Sequence, residues 1–171
     1  MSGAIASNVQ LNLSPSRTST KIDVCSYVWG ESNTYCIDNY GQKGMVLGEY
    51  DKVILADCLW RPSQHRNLVG TIARTLGRGQ GCCAIAVAGF HTGRGVTTAF
   101  LDIAEGRGRG EEEAREEGAS GEEDLPLLRI VEIFEVDVDL KRRIGERERP
   151  GEGTEAAKRW CVVAILVRAD M

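Results

Sequence analysis

No apolar run in the 171 residues approaches the roughly 18 that a membrane-spanning helix requires. The chain has no Cys-x-x-Cys and no pair of histidines at ligand spacing, so a structural zinc site is not expected. It opens without the apolar core of a secretory leader. Its six cysteines are Cys25, Cys36, Cys58, Cys82, Cys83 and Cys161; most of them fall inside apolar, strand-like runs, where a free thiol behaves as a small hydrophobe. These absences together point to a reduced, cytoplasmic setting, with the nucleus as a second compartment. A basic stripe is also missing, which argues against a nucleic-acid partner. The short clusters Lys141-Arg142-Arg143 and Lys158-Arg159 read as solvated rims.

What is present suits one domain: 42% of the residues are hydrophobic, enough for a sizeable core. The formal charge of -4 is unevenly spread. Residues 105–124 hold nine acidic and three basic side chains, which leaves 18 basic against 16 acidic elsewhere. With five glycines and no aromatic residue, that segment cannot bury enough surface to offset its ordering entropy. It is expected to be a disordered acidic insertion.

Hydrophobic period predicts a short helix over 4–13, where Ile5, Val9 and Leu13 share a stripe, and a strand over 22–29. A Gly- and Asn-punctuated loop runs from Gly30 to Gly48. A strand at 52–57, a helix at 63–77 carrying Leu68, Ile72 and Leu76, a strand at 82–90 and a helix from about Thr97 to Ala104 follow. Beyond the acidic segment, "LLRIVEIFEVDV" and "RWCVVAILVR" are two strong strand patterns with no helical pattern between them. They should pair antiparallel.

The stretch "DKVILADCLW", 51–60, runs apolar from Val53 to Ala56 and then turns at once to Asp57, Cys58 and Trp60. Four branched or small apolar residues bounded by charge predict a strand covered on both faces, as in parallel α/β sheets. Ligands in such sheets bind at the carboxyl ends of the strands, which puts Asp57 and Trp60 where a site is expected.

"NVQLN" at 8–12, "YVWGE" at 27–31, "DKVILADCLW", "AVAGFHTGR" at 86–94 and "VEIFEVD" at 131–137 occur in an order similar to that of the lysine methyltransferase-like family, which includes the fungal nicotinamide N-methyltransferase-like proteins. The resemblance covers nearly all of the chain except the acidic insertion. It implies an α/β Rossmann-like class I methyltransferase sheet with a C-terminal antiparallel hairpin and S-adenosyl-L-methionine as methyl donor. The family's strand order is 3-2-1-4-5-7-6. By position, Trp29 would lie against the adenine and Ala56 would line the cofactor pocket. Asp57 would orient the incoming amine or bind near the methionine end, and Trp60 and His91 would meet the acceptor. The acceptor would be a protein lysine, a protein N-terminus or a small amine.

Each of these residues also admits a plainer role. Trp29 and Trp60 suit a core, Asp57 suits the cap of the helix after Pro62, and His91 and Arg94 suit the shaping of a loop. The family's glycine-rich turn and its ribose-binding carboxylate have no counterpart here: "GRGQG" at 77–81 precedes a strand, and "GRGRG" lies in the acidic insertion. The whole of 1–171 is therefore expected to be a partial methyltransferase domain lacking its first two strands, with impaired activity. The alternative is a noncatalytic interaction module that binds a basic partner through the acidic loop.

Overall fold

The computed structural model describes residues 2–12, 22, 27–30, 35–38, 41–44, 50–107 and 128–170. Two compact units divide the chain, Met1–Val46 and Leu47–Met171.

In the first unit, helix α1 covers Ser2–Asn12, slightly ahead of the expected 4–13. Asn12 Nδ2 donates to the Asn8 carbonyl at 2.9 Å, satisfying one acceptor of its last turn. Strands β1 (Tyr35–Asp38) and β2 (Gly41–Gly44) form an antiparallel hairpin inside the segment read as a loop. The strand expected over 22–29 falls largely outside the described residues; its last part, Tyr27–Gly30, is irregular and ends in a turn at Trp29 and Gly30.

The second unit is a mixed α/β layer. Its elements are β3 (Lys52–Ala56), α2 (His65–Thr75), β4 (Cys83–Gly89), α3 (Arg94–Ala104), β5 (Leu128–Asp137), β6 (Arg142–Ile144), α4 (Thr154–Ala157) and β7 (Trp160–Arg168). The sheet order is β3-β4-β7-β5-β6. β3 and β4 are parallel and joined through α2, whereas β7 lies between β4 and β5 and runs antiparallel to both. The expected antiparallel pairing of the last two long strands is thus present. A register shift between Ile130 and Glu132 leaves Val131 as the extra residue of a bulge.

Register and alternation assign the two faces of this sheet. Leu55, Ala84, Ala86, Ala88, Val162, Ala164 and Leu166 are all buried and occupy one face. Small alanines along β4 let helices approach closely, and the buried stripes Leu68, Val69, Ile72 of α2 and Phe100, Leu101, Ala104 of α3 complete the core. α3 starts at Arg94, earlier than the expected Thr97, because Gly93 takes φ 95 and turns the chain directly into the helix.

On the other face, Ile85, Val87, Val163, Ile165 and Val167 are only half-buried. This corrects the expectation that β3 is covered on both faces: Ile54 is 69% exposed and Ala56 is exposed, whereas Leu55 on the opposite face is buried, and β3 is the edge strand of the described sheet. Of the expected acidic insertion, Glu105 to Arg107 finish α3 and pair with one another, while 108–124 lie outside the described residues. Among the described residues no helix is long and apolar enough to cross a membrane.

Candidate functional site at the strand tips

β3 ends at Ala56, and the chain reverses at once at Asp57, whose φ of 54 is a left-handed conformation uncommon outside glycine. The turn is nevertheless pinned to the sheet, since the Asp57 N–H donates to the Val87 carbonyl at 2.7 Å. Cys58 Sγ donates back to the Ala56 carbonyl at 3.4 Å. Burial pushes the Cys58 thiol up, the neighbouring Asp57 charge pushes it further, and the Ala56 contact offsets only part of this, so Cys58 is a poor thiolate nucleophile.

Leu59 is buried and Trp60 is 53% exposed. A buried histidine absent from the sequence-based site holds this turn: His65 Nε2 hydrogen-bonds the Leu59 carbonyl at 2.8 Å, and its ring meets Phe100 edge-on at 5.6 Å. Asp57 does not cap the helix that follows, because neither the 3-10 turn at Pro62–Gln64 nor α2 has a side-chain cap.

At the tip of β4, Phe90 is buried, His91 is exposed, and Arg94 opens α3. Ala56, Asp57 and Trp60 therefore share one turn, and His91 stands at the end of the adjacent parallel strand. Among the described residues no hydrogen bond or ion pair joins His91 to that turn. Trp29 belongs to the first unit, where it is half-buried in the turn with Gly30.

The densest polar chemistry lies beside these residues and was read from the sequence as loop and rim. Glu135 has no exposed surface, yet its carboxylate accepts from Arg94 Nη1 at 2.6 Å, Arg143 Nε at 2.7 Å and the Glu146 N–H at 3.2 Å. Glu152 accepts from the same two arginines, each at 2.5 Å. Arg94 also stacks 4.0 Å from the Phe90 ring centroid, and Arg143 3.6 Å from that of Trp160.

Burial pushes the Glu135 and Glu152 carboxyls up, but the guanidinium hydrogen bonds outweigh it and hold both below the ordinary carboxylate range. Arg94 is held above its usual value: desolvation acts to lower it, and the two carboxylates overcome that. The signal in the sequence was Glu135 itself, a charge on the inward side of the apolar run "VEIFEVD".

Above this cluster an open cleft of about 530 Å³ lies between Phe90, Arg94 and Thr98 on one side and Arg147, Pro150 and Thr154 on the other. None of Trp29, Ala56, Asp57, Trp60 or His91 lines it. Among the described residues no group of three His, Cys, Asp or Glu side chains is placed to hold a metal ion. No protein-family model, no curated protein and no solved structure matches this chain.

Proposed function

We propose that Leu47–Met171 supplies the acceptor-side half of an S-adenosyl-L-methionine-dependent N-methyltransferase site, with a protein lysine, a protein N-terminus or a small amine as acceptor. The observation that carries this reading is the sheet itself. β3, β4, β7 and β5 stand side by side in that order, two parallel strands followed by a last strand inserted antiparallel. This order is compatible with the 4-5-7-6 half of the sheet implied by the sequence resemblance, and the carboxylate of Asp57 stands at the tip of its first strand.

The residues fit one wall of such a site and not the whole of it. Ala56 and Asp57 are both exposed at the tip, and the alanine methyl leaves room for a nucleoside where a longer side chain would collide. Among the described residues of the second unit no glycine-rich turn follows β3, and the glycines after β4 (Gly89, Gly93 and Gly95) stand at the second strand of the parallel pair, so no counterpart of the family's cradle for the methionine end of the donor is seen there. When bound, the donor would supply an electrophilic methyl group to a neutral nitrogen.

The chain's own contribution is placement. A carboxylate at position 57 accepts a hydrogen bond from the incoming amine and aims its lone pair, and Trp60 offers an exposed apolar wall for the carbon chain behind it.

A titration of the isotope-labelled chain with S-adenosylhomocysteine, followed by two-dimensional NMR, tests this reading. The amide signals of residues 56–60 should shift at ligand concentrations up to roughly millimolar, the affinity expected of a site with one wall. Ala56→Trp should abolish the shift while leaving the core signals in place. Signals at the tip that stay fixed throughout the titration would refute the assignment.

A further inference from the structure

The free edge of β3 carries a second inference, independent of methyl transfer. Backbone alternation shows what that edge offers. The Asp51 carbonyl accepts from the Cys83 N–H and the Asp57 N–H donates to Val87, so the odd-numbered residues face β4. The even-numbered Lys52, Ile54 and Ala56 therefore turn their N–H and C=O groups outward, where among the described residues no strand pairs with β3. Among the described residues the Ala56 carbonyl takes only the long contact from Cys58 Sγ.

Natural edges are usually guarded by a bulge, a proline or a free lysine. At the opposite edge, β6 is three residues long and carries Arg142 and Arg143. β3 has neither bulge nor proline, and its lysine is withdrawn: Lys52 Nζ donates to the Gly81 carbonyl and lies 3.3 Å from Cys83 Sγ.

The edge is also short, and both ends are blocked. At the start, Tyr50 is bridged to Leu76, with its N–H on the Thr75 carbonyl and its own carbonyl taking the Gly77 N–H. At the finish, Asp57 turns the chain away. Only three outward-facing residues are left, with Ile54 at the centre.

A partner strand must fit between those stops, and a second copy of this chain does so by symmetry. Antiparallel pairing about a two-fold axis at Ile54 sets Ile54 against Ile54 and Lys52 against Ala56. Every outward N–H and C=O is then bonded, and each blocked start faces the other copy's turn. Side chains agree with this register. Ile54, Ile85 and Ile165 form one row across β3, β4 and β7 on the half-bare face, and the two-fold axis would extend it into a row of six isoleucines. The contact closes on itself, because both copies use the same β3 edge about one two-fold axis.

We infer that β3 is a homodimerisation edge that joins two five-stranded sheets into one through antiparallel pairing centred on Ile54. The same register brings Asp51 of one copy near Asp57 of the other, so added salt should tighten the association by screening like charges.

Sedimentation velocity of the full chain over roughly 1 to 100 μM tests it. A monomer–dimer equilibrium that strengthens with salt is expected. Ile54→Pro removes an outward N–H that no bond within the sheet uses, and should weaken the dimer at least ~10-fold with unchanged circular dichroism. A second variant covers the event that proline disturbs the fold. Ile54→Cys should be bridged chain to chain by a short bismaleimide, with the linked peptides identified by mass spectrometry. Lys52→Cys should not be, because this register separates its two copies by about 13 Å along the strands. A chain that stays monomeric throughout, a dimer indifferent to Ile54→Pro in a folded variant, or equal bridging at positions 52 and 54 would each overturn the inference.

Discussion

Arg94 Nη1 lies 2.6 Å from Glu135 Oε1, joining the first turn of α3 to the end of β5 through a carboxylate with no exposed surface. The pair does not stand alone. Arg143 from β6 and Glu152 from the following connection close a four-membered ring of charges, so α3 is tied to β5, β6 and the connection after β6 by one site. Removing the Glu135 charge leaves two half-buried arginines to share the one carboxylate of Glu152, which costs more than the intact pair contributes. Glu135→Gln should therefore lower unfolding stability by about 3 kcal/mol. Urea denaturation checks this, and a loss below roughly 1 kcal/mol would show the arginines finding solvent or new partners.

The same ring sets the acid limb of stability. Both Glu135 and Glu152 are held below their ordinary range by their arginine partners, so their stabilisation is fully present above the unfolded carboxylate pKa of about 4.3. It is lost as pH falls through the lower folded values. Asp170, held low by Arg168 and Arg78, acts with the same sign. Thermal midpoints measured from neutral pH down to pH 3 should fall steeply below about 4.3, and Glu135→Gln should flatten that fall. An acid limb of equal slope in the variant would mean that other carboxylates control it.

Much of the second unit was legible from apolar period alone. β4, α2 and the long pair β5 and β7 fall within a few residues of where runs such as "CCAIAVAGF" and "RWCVVAILVR" place them, because each buries one face in a fixed register. β3 misled for a physical reason. A run of Val, Ile, Leu and Ala reads as buried on both faces, whereas Ile54 is largely exposed and stands at an edge that no described strand pairs. The charge ring was hidden because its members come from separate segments, and nothing local distinguishes Arg143 from a solvated rim residue. The tip was half legible. Asp57 and Trp60 were found from the abrupt end of an apolar run, while His65, which holds their turn, looked like any polar residue at the start of a helix.

Gly145 gives a test of how tightly β6 is laid on β5. A Cβ at that position would stand 2.7 Å from Ile133 Cγ1 and 3.0 Å from both the Ile133 carbonyl carbon and the Phe134 nitrogen. The side-chain atom can move, but the two backbone atoms belong to a paired strand and cannot give way cheaply. Gly145→Ala should cost about 1–3 kcal/mol and weaken protection of the β5–β6 amides in hydrogen exchange. A neutral substitution would mean that β6 can lift without disturbing the ring of charges.

The conformation of Asp57 separates its structural role from its chemical one. With φ at 54 the residue carries a penalty of roughly 1–2 kcal/mol that glycine avoids, so replacement by alanine would confuse strain with lost function. Asp57→Gly removes the carboxylate and the strain together. The fold should be retained or stabilised by up to about 1 kcal/mol. Shifts of the Ala56 amide on adding S-adenosylhomocysteine should persist, since Asp57 is assigned to the amine and not to the donor. Methyl transfer from radiolabelled donor to an amine acceptor should fall by about 10²-fold, the loss expected when an aligned hydrogen-bond acceptor is removed. Asp57→Asn keeps an acceptor oxygen and tolerates the same backbone, so it should retain part of the transfer. If Asp57→Gly is folded and transfers methyl groups at the original rate, the carboxylate has no part in the chemistry, and its place at the tip reflects only the turn that ends β3.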